Sequence, residues 1–478
     1  MANTAAGAEQ ISMRGHQRPT LAQQHLARRP SVEARLAMGK ALRATLPRRL
    51  HAEYVLSPRR KDPVATLEAQ ARARLPNVVP IRYARMLASP FAFLRGSAAV
   101  MAGDLARTRT TGIPVQACGD VHVANFGVFA SAERHLVFGI NDFDETLPGP
   151  WEWDLKRLAA SAVVAQRFLG ADKILSEEAA RAVVRSYRVH MREYAEMGHL
   201  DVWYTRIDEG MILDALPRKV RRAAGKVIAK ARRRTHLQVL DRDTDLVDGR
   251  HHIREAPPFV VRETRTVGGQ PIKKAVELFL QGYVPSLPDD RKPLLARYRI
   301  LDVARKVVGV GSVGMHCWVI FLQGNDPGDP LFLQIKQAQP SVLEPYWGKS
   351  AHSNHGQRVV VGQRIIQGAP DILLGWGTYG DVDYYVRQLR DMKGGLRFDP
   401  DKTEAEDLVE YCGLCGWALA LAHAKSGDSA MIAGYLGKSE ATDEAIARFA
   451  SAYADQTERD HEALAEAARQ GRIRVAHD

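Results

Sequence analysis

Long apolar runs are missing from this chain. No stretch approaches about 18 uninterrupted apolar residues, so a membrane-spanning helix is not expected. The first residues carry no hydrophobic segment of signal-peptide type, and a cytoplasmic location is the expectation that follows. Cysteine is scarce too. Four thiols, Cys118, Cys317, Cys412 and Cys415, are too few to staple a chain of 478 residues, so reduced thiols are expected. Cys412-x-x-Cys415 has no second CxxC to complete a zinc site. With Leu408, Leu419 and Ala422 it falls at helical spacing, which favours core packing over a redox pair. Acidic residues are thin in two places. Residues 1–60 hold 11 Arg or Lys against 3 Glu, and "RKVRRAAGKVIAKARRR" over 218–234 has nine basic residues and no acid.

What is present is enough apolar content, 45%, for two or three cores. The basic, aromatic-poor start predicts a largely disordered arm over 1–55. Residues 218–234, with Val220, Val227 and Ala231 at helical spacing, predict an amphipathic basic helix. Its bland reading is a solvated face; its sharp one is a surface for nucleic acid or an acidic ligand. The rest divides by pattern into a helical segment over 56–250, a strand-rich one over 251–395 and helices again over 396–478. "HLVFGIND" reads as a buried strand and "WEWDLKRLAASAVVAQRFLG" as a helix. "PFVVRETRTV", "HCWVIFLQG", "PLFLQIKQA", "DILLGWG" and "DYYVRQL" read as strands between turn signals.

Chemistry concentrates in "CGDVHVANFG" and "NDFDET". Phosphoryl transfer requires a carboxylate beside the acceptor hydroxyl and oxygen ligands that hold Mg²⁺ against the phosphates. Asp120 and Asn125 have the D-x-x-x-x-N spacing of a kinase catalytic loop, and Asp142 ends a strand in D-F-D, where a kinase puts its main metal-binding Asp. The two motifs with "WDLKRL" behind them resemble the catalytic half of aminoglycoside phosphotransferases and related small-molecule kinases. That resemblance implies Asp120 as catalytic base, Asn125 and Asp142 as metal ligands, Asp144 as a second carboxylate ligand and Asp154 as a structural Asp. Cys118 stands where that family has a His, which puts the usual bracing of the loop in doubt. His122 is expected to brace the loop rather than touch substrate.

Residues 1–115 hold no glycine loop followed by a strand lysine. Those parts come later: Gly309, Gly311 and Gly314 have the G-x-G-x-x-G spacing, and Lys336 lies on the next strand but one, like a kinase lysine. A dinucleotide-binding loop wants a helix straight after its glycines, and "HCWVIFLQ" is strand-like. Glu344 is the nearest candidate to pair with Lys336, eight residues on and directly before Pro345. "GQRVVVGQRIIQG" sets Arg358 and Arg364 either to clamp phosphate or to solvate a helix face. A hinge near Leu389 to Asp391 would lie against an adenine ring. The motif order is reversed relative to an ordinary kinase, so the expected fold is α+β, two-lobed, protein-kinase-like and circularly permuted, with extra helices. With "GDVHVANFG", "NDFDET", "DLKRLA", "IKQA", "GQRVVVGQR" and "AHAKSGD" in this order, the chain resembles a large uncharacterised bacterial family of kinase-like proteins.

The expectation is an ATP- and Mg²⁺-dependent phosphotransferase acting on a small-molecule hydroxyl acceptor. A nucleotide-binding pseudokinase, a nucleotidyl-transfer module, and a nucleic-acid-binding protein using residues 218–234 stay open. No residue names the acceptor or the oligomeric state.

Overall fold

Helix Trp151–Phe168 is buried around its whole circumference from Trp151 to Gln166, its polar side chains Glu152, Asp154, Lys156 and Arg157 included. Helices Lys173–Glu196, Ala405–Ala424 and Ala441–Arg469 pack around it, and their apolar stripes form the largest core. Cys412 and Cys415 lie in that core as free thiols, as their helical spacing predicts. This computed structural model describes the chain apart from residues 1–24, 235, 267–268, 308, 310, 312, 390–391, 397 and 477–478. Among the described residues, no helix is long and apolar enough to cross a membrane.

The fold is mixed α and β, with several sheets. Its main sheet has six antiparallel strands in the order Gly375–Tyr379, Val382–Gln388, Pro330–Gln337, Cys317–Gln323, Arg299–Lys306 and Val260–Val261. Strand alternation decides what each face does. Ile320, Leu322, Leu333 and Ile335 pack under helix Ile272–Ser286 through Phe279 and Tyr283. Val319, Phe321 and Phe332 point the other way, into a smaller core with Val239 and Leu240. Gln334 and Lys336 share the parity of Phe332. Helix His355–Gln367 lies against the last two strands, capped by the Asn354 side chain on Gln357 N–H at 2.9 Å. The predicted strands are present with two exceptions: of "PFVVRETRTV" only Val260–Val261 joins the sheet edge, and in "DILLGWG" the strand starts at Gly375, because Asp371 closes a turn by accepting Leu373 N–H at 2.8 Å.

The expected disordered arm is corrected from Val32 onward. Val32–Ala41 is a helix and Arg48–Ala52 a 3₁₀ turn, both packed on the C-terminal helices. The basic residues there satisfy carbonyls at the end of helix Ser429–Leu436: Arg43 donates to Gly434 O (2.6 Å) and Tyr435 O (2.8 Å), and Arg48 to Leu436 O (2.6 Å). Cations at a helix C-terminus meet orphan carbonyls and the negative end of the dipole, so basic composition here signals docking. Residues 1–24 of the arm lie outside the described residues.

Residues 60–104 and the C-terminal helix with the segment after it are tied together. Arg60 reaches Asp104 at 2.8 Å and Asp460 at 2.5 Å, with all three side chains nearly buried. Ala476 N–H donates to Pro80 O at 3.1 Å. Removing one partner of a buried ion cluster strands the others. Arg60→Ala is therefore expected to destabilise the chain by about 3 kcal/mol, read as a lower urea midpoint; an unchanged midpoint would show that the cluster holds nothing.

Candidate functional site

The loop 118–125 leaves strand Pro114–Ala117 at a sharp turn. Gly119 has φ +79°, and a Cβ there would lie 2.5 Å from Glu145 O, so only glycine fits. Asp154, in the first turn of the buried central helix, accepts Cys118 N–H at 2.6 Å and Gly119 N–H at 3.0 Å. His423 touches Asp154 from behind at 3.3 Å and Tyr187 Oη at 2.9 Å. A buried imidazole from another helix thus braces the Asp that braces the loop. Cys118 has a part as well. Its thiol, which burial pushes upward and keeps neutral, donates to Asp142 O at 3.4 Å.

One helical turn beyond Asp154, Arg157 grips Asp120. Its Nε donates to Asp120 Oδ1 at 3.1 Å, its Nη2 to the same oxygen, and its Nη2 also to Leu94 O at 2.9 Å. Asp120 keeps 25% of its side chain exposed in the cleft. Burial pushes its carboxyl up to about 6 against the pull of Arg157, with Asp142 and Asp144 adding to the rise. Both oxygens of the carboxyl are not equal: Oδ1 is held and Oδ2 faces the glycine loop, where a Cβ on Gly311 would sit 4.0 Å away.

Asn125, the expected metal ligand, is engaged with backbone. Its Oδ1 accepts Asp142 N–H at 2.8 Å, and its Nδ2 donates to Asp142 O at 3.0 Å and Asp120 O at 3.3 Å. Both ends of the amide are engaged with backbone, so Asn125 fixes Asp142 relative to Asp120. The Asp142 side chain stays 45% exposed.

Lys336 comes to the same cleft from the sheet. Its ammonium is 2.7 Å from Asp144 Oδ2 and 3.4 Å from Asp142 Oδ1, and its side chain is 3% exposed. Tyr385, directly across the ladder from Lys336, donates to Asp144 Oδ1 at 2.6 Å. Burial alone would raise Asp144; Lys336 and Tyr385 overcome it and hold the carboxyl down to about 2. Burial alone would lower Lys336, and Asp142 and Asp144 hold it well above the usual lysine range.

Glu344 is not the partner of Lys336. Its Oε1 accepts Ser341 N–H at 3.2 Å and lies 3.9 Å from His355 Nδ1. Pro345 starts a new helix turn there, which carries the side chain away. Nor does Arg358 clamp phosphate or solvate a face: it is buried and donates to Thr146 O (2.6 Å), Asp144 O (2.8 Å) and Gln339 O (2.7 Å). Arg364 donates to Leu374 O at 2.7 Å and covers Trp376.

The glycine loop joins two neighbouring antiparallel strands, Arg299–Lys306 and Cys317–Gln323. Gly309 and Gly311 line the cleft together with Asp120, Asp142, Asp144 and Lys336. Gly314, at φ +86°, is tied by its carbonyl to Leu75 N–H at 2.7 Å. Arg74 donates to Gly311 O at 2.8 Å and Val313 O at 2.6 Å. Leu389 of the expected hinge is bonded through its N–H to Phe332 O at 2.8 Å; residues 390 and 391 lie outside the described residues.

Among the described residues, no group of three or more His, Cys, Asp or Glu is arranged to hold a metal alone. Two carboxylates fit Mg²⁺ nonetheless, because that ion takes one or two protein carboxylates with phosphates and water completing its shell. Asp142 and Asp144 are the residues that could do so. Sequence reasoning missed Arg157, Arg74 and Arg387, whose Nη1 donates to Asn141 O at 3.2 Å. The i, i+3 spacing of Asp154 and Arg157 on one helix face was the available signal for the first.

Residues 74–467 match the family model described as an uncharacterised protein conserved in bacteria. The chain belongs to this family, DUF2252. No curated protein and no solved structure matches it. In this DUF2252 chain the matched span covers every site residue named above, from Arg74 to His423.

Glu145 offers a test of the buried charge. Its Oε2 accepts Val342 N–H at 2.7 Å, and burial lifts its carboxyl to about 7, with that N–H and Arg358 opposing. The folded chain thus holds a proton that an unfolded glutamate loses near 4.5. The stability it contributes is complete below that value and lost as pH rises toward 7, on the order of 3 kcal/mol at most. Glu145→Gln cannot lose it, so the difference between variant and wild type in urea midpoint should move in favour of Gln between pH 4.5 and 8; a constant difference would show that Glu145 is ionised throughout.

Proposed function

We propose that the chain is an ATP- and Mg²⁺-dependent phosphotransferase with a circularly permuted, protein-kinase-like arrangement, acting on the hydroxyl of a small-molecule acceptor. One observation carries this reading: Lys336 pairs with Asp144 and Asp142, which lie 192 and 194 residues away in sequence, so the two motif sets share one cleft. The strand order, with a glycine loop, a lysine strand, a helix and two further strands in turn, supports the kinase-like part.

When bound, Mg-ATP supplies the phosphoryl group, and the metal shares the charge on its phosphates. Lys336 and the backbone N–H groups of the glycine loop would hold those phosphates, and Asp142 with Asp144 the metal. Asp120 Oδ2, left free by the grip of Arg157 on Oδ1, accepts the acceptor hydroxyl's proton. A carboxyl near 6 is ionised at pH 7 and still basic enough for that task. Arg157, Asn125 and Asp154 are positioning residues: they keep the carboxylates aimed.

Calorimetric titration of Mg-ATP should give micromolar binding to wild type and none to Asp142→Ala or Lys336→Ala. Asp120→Asn should retain binding and lose turnover by about 10²-fold to 10⁴-fold, and wild-type turnover should rise with pH up to about 6 and then level off. Binding without turnover across an acceptor screen would favour the pseudokinase reading, and pyrophosphate release with label transfer would favour nucleotidyl transfer. Absence of binding sinks the proposal.

A second reading rests on helix Arg218–Arg232. It buries Ile228 and Ala231 and leaves Arg218, Lys219, Arg222, Lys226 and Lys230 exposed. As a nucleic-acid surface it would show affinity that falls steeply with salt and is lost when those five are neutralised; salt-independent affinity, or none, excludes it.

A further inference from the structure

Beside Asp120 the cleft is lined by three guanidinium groups that have no ion-pair carboxylate among the described residues. Arg82 is 1% exposed, and its Nη2 donates to Gly96 O (2.8 Å) and Gln70 Oε1 (3.2 Å). Its Nε and Nη1 are buried without a partner. Arg74 spends Nη1 on the glycine-loop carbonyls and leaves Nε buried and unpartnered. Arg95 packs over Phe91 at 5.7 Å, and its buried Nε has no partner. Between Arg95 and Arg157 sits His122, 7% exposed, with Nδ1 unpartnered; burial and both arginines hold it well below the usual range and keep it neutral. All four side chains line the cleft that holds Asp120 and Lys336.

The carboxylates nearby are committed. Asp120 is held by Arg157, Asp144 by Lys336 and Tyr385, and Glu145, the carboxyl nearest in effect to Arg74, accepts Val342 N–H and is pushed by burial toward its neutral form. Burying an uncompensated charge is costly, and burying several in one place is more so. Burial pulls Arg82 down to about 9, and Arg74 adds to that pull. Such an arrangement is relieved by an anion that brings its own oxygens. Guanidinium forks suit phosphate and carboxylate because both offer paired acceptors.

We propose that Arg74, Arg82 and Arg95 form an oxyanion subsite beside Asp120, so that the acceptor carries a phosphate or carboxylate in addition to its hydroxyl. The subsite stands on geometry; its assignment to the acceptor rests on the phosphotransfer reading above. Arg95 is the residue to vary, since the loss of its guanidinium removes no hydrogen bond among the described residues.

The test is titration of inorganic phosphate, without metal or nucleotide, into the full chain and into Arg95→Gln and Asp142→Ala, with the melting temperature of each measured alone. Wild type and Asp142→Ala should bind one phosphate, and Arg95→Gln, melting like wild type, should bind at least tenfold more weakly. Phosphate binding should survive saturation with Mg²⁺ and a non-hydrolysable ATP analogue. No phosphate binding to wild type, or equal binding to a folded Arg95→Gln, overturns the subsite. Displacement by the nucleotide analogue assigns the arginines to the nucleotide's own phosphates and overturns the acceptor claim. Should Arg95→Gln melt early, Arg82→Lys replaces it, with the same tenfold loss expected and equal binding counting against the subsite. If Mg-ATP fails to bind while phosphate binds and depends on Arg95, the phosphotransfer reading fails and the subsite stands without it.

Discussion

One ammonium group joins the two halves of this molecule. Lys336 is fixed on the third strand of an antiparallel sheet, and its charge is met by Asp144 and Asp142, which belong to the helical half. A buried lysine without such a partner would shed its proton. The pair therefore couples the relative position of sheet and helices to the ionisation of the cleft. Tyr385 and Arg358 hold the same segment from two more directions, one at the Asp144 carboxylate and one at its carbonyl.

Around that pair the chain invests in rigidity. Asp154, Asn125 and Arg157 each hold a different part of the loop or its carboxylate, and all three are supported from buried positions. Two of them sit on a helix whose every face is packed, which gives their side chains few ways to move. Groups held this way need little reorganisation when a charged ligand arrives, which is the condition under which fixed dipoles and charges act most strongly.

Much of this was legible in the sequence, and the failures have physical causes. Periodicity placed the central helix, the buried CxxC and the inner strands, because these elements are packed on both sides and their apolar runs have no competing role. Spacing brought Asp120, Asp142, Asp144 and Lys336 forward, and they share one cleft. What spacing could not supply was the partner of each group. Asn125 binds backbone at Asp120 and Asp142, Glu344 accepts from Ser341 N–H in its own turn, and Arg358 reaches carbonyls from distant chain. Composition misled most at the N-terminus, where arginines that look solvated are spent on the carbonyls of helix Ser429–Leu436.

The glycine loop is anchored at its tip by Arg74 and Leu75. A tip anchored from outside cannot lift like a free flap. At Gly311, Val313 and Gly314 the ordering cost is met by contacts within the folded chain and not by a ligand. A separate hollow lined by Lys306, Val307 and Lys393 opens beside Gly309. The turn at Arg74 and Leu75, between helices Pro63–Ala71 and Val79–Leu87, thereby acts as the fixed jamb on one side of the cleft.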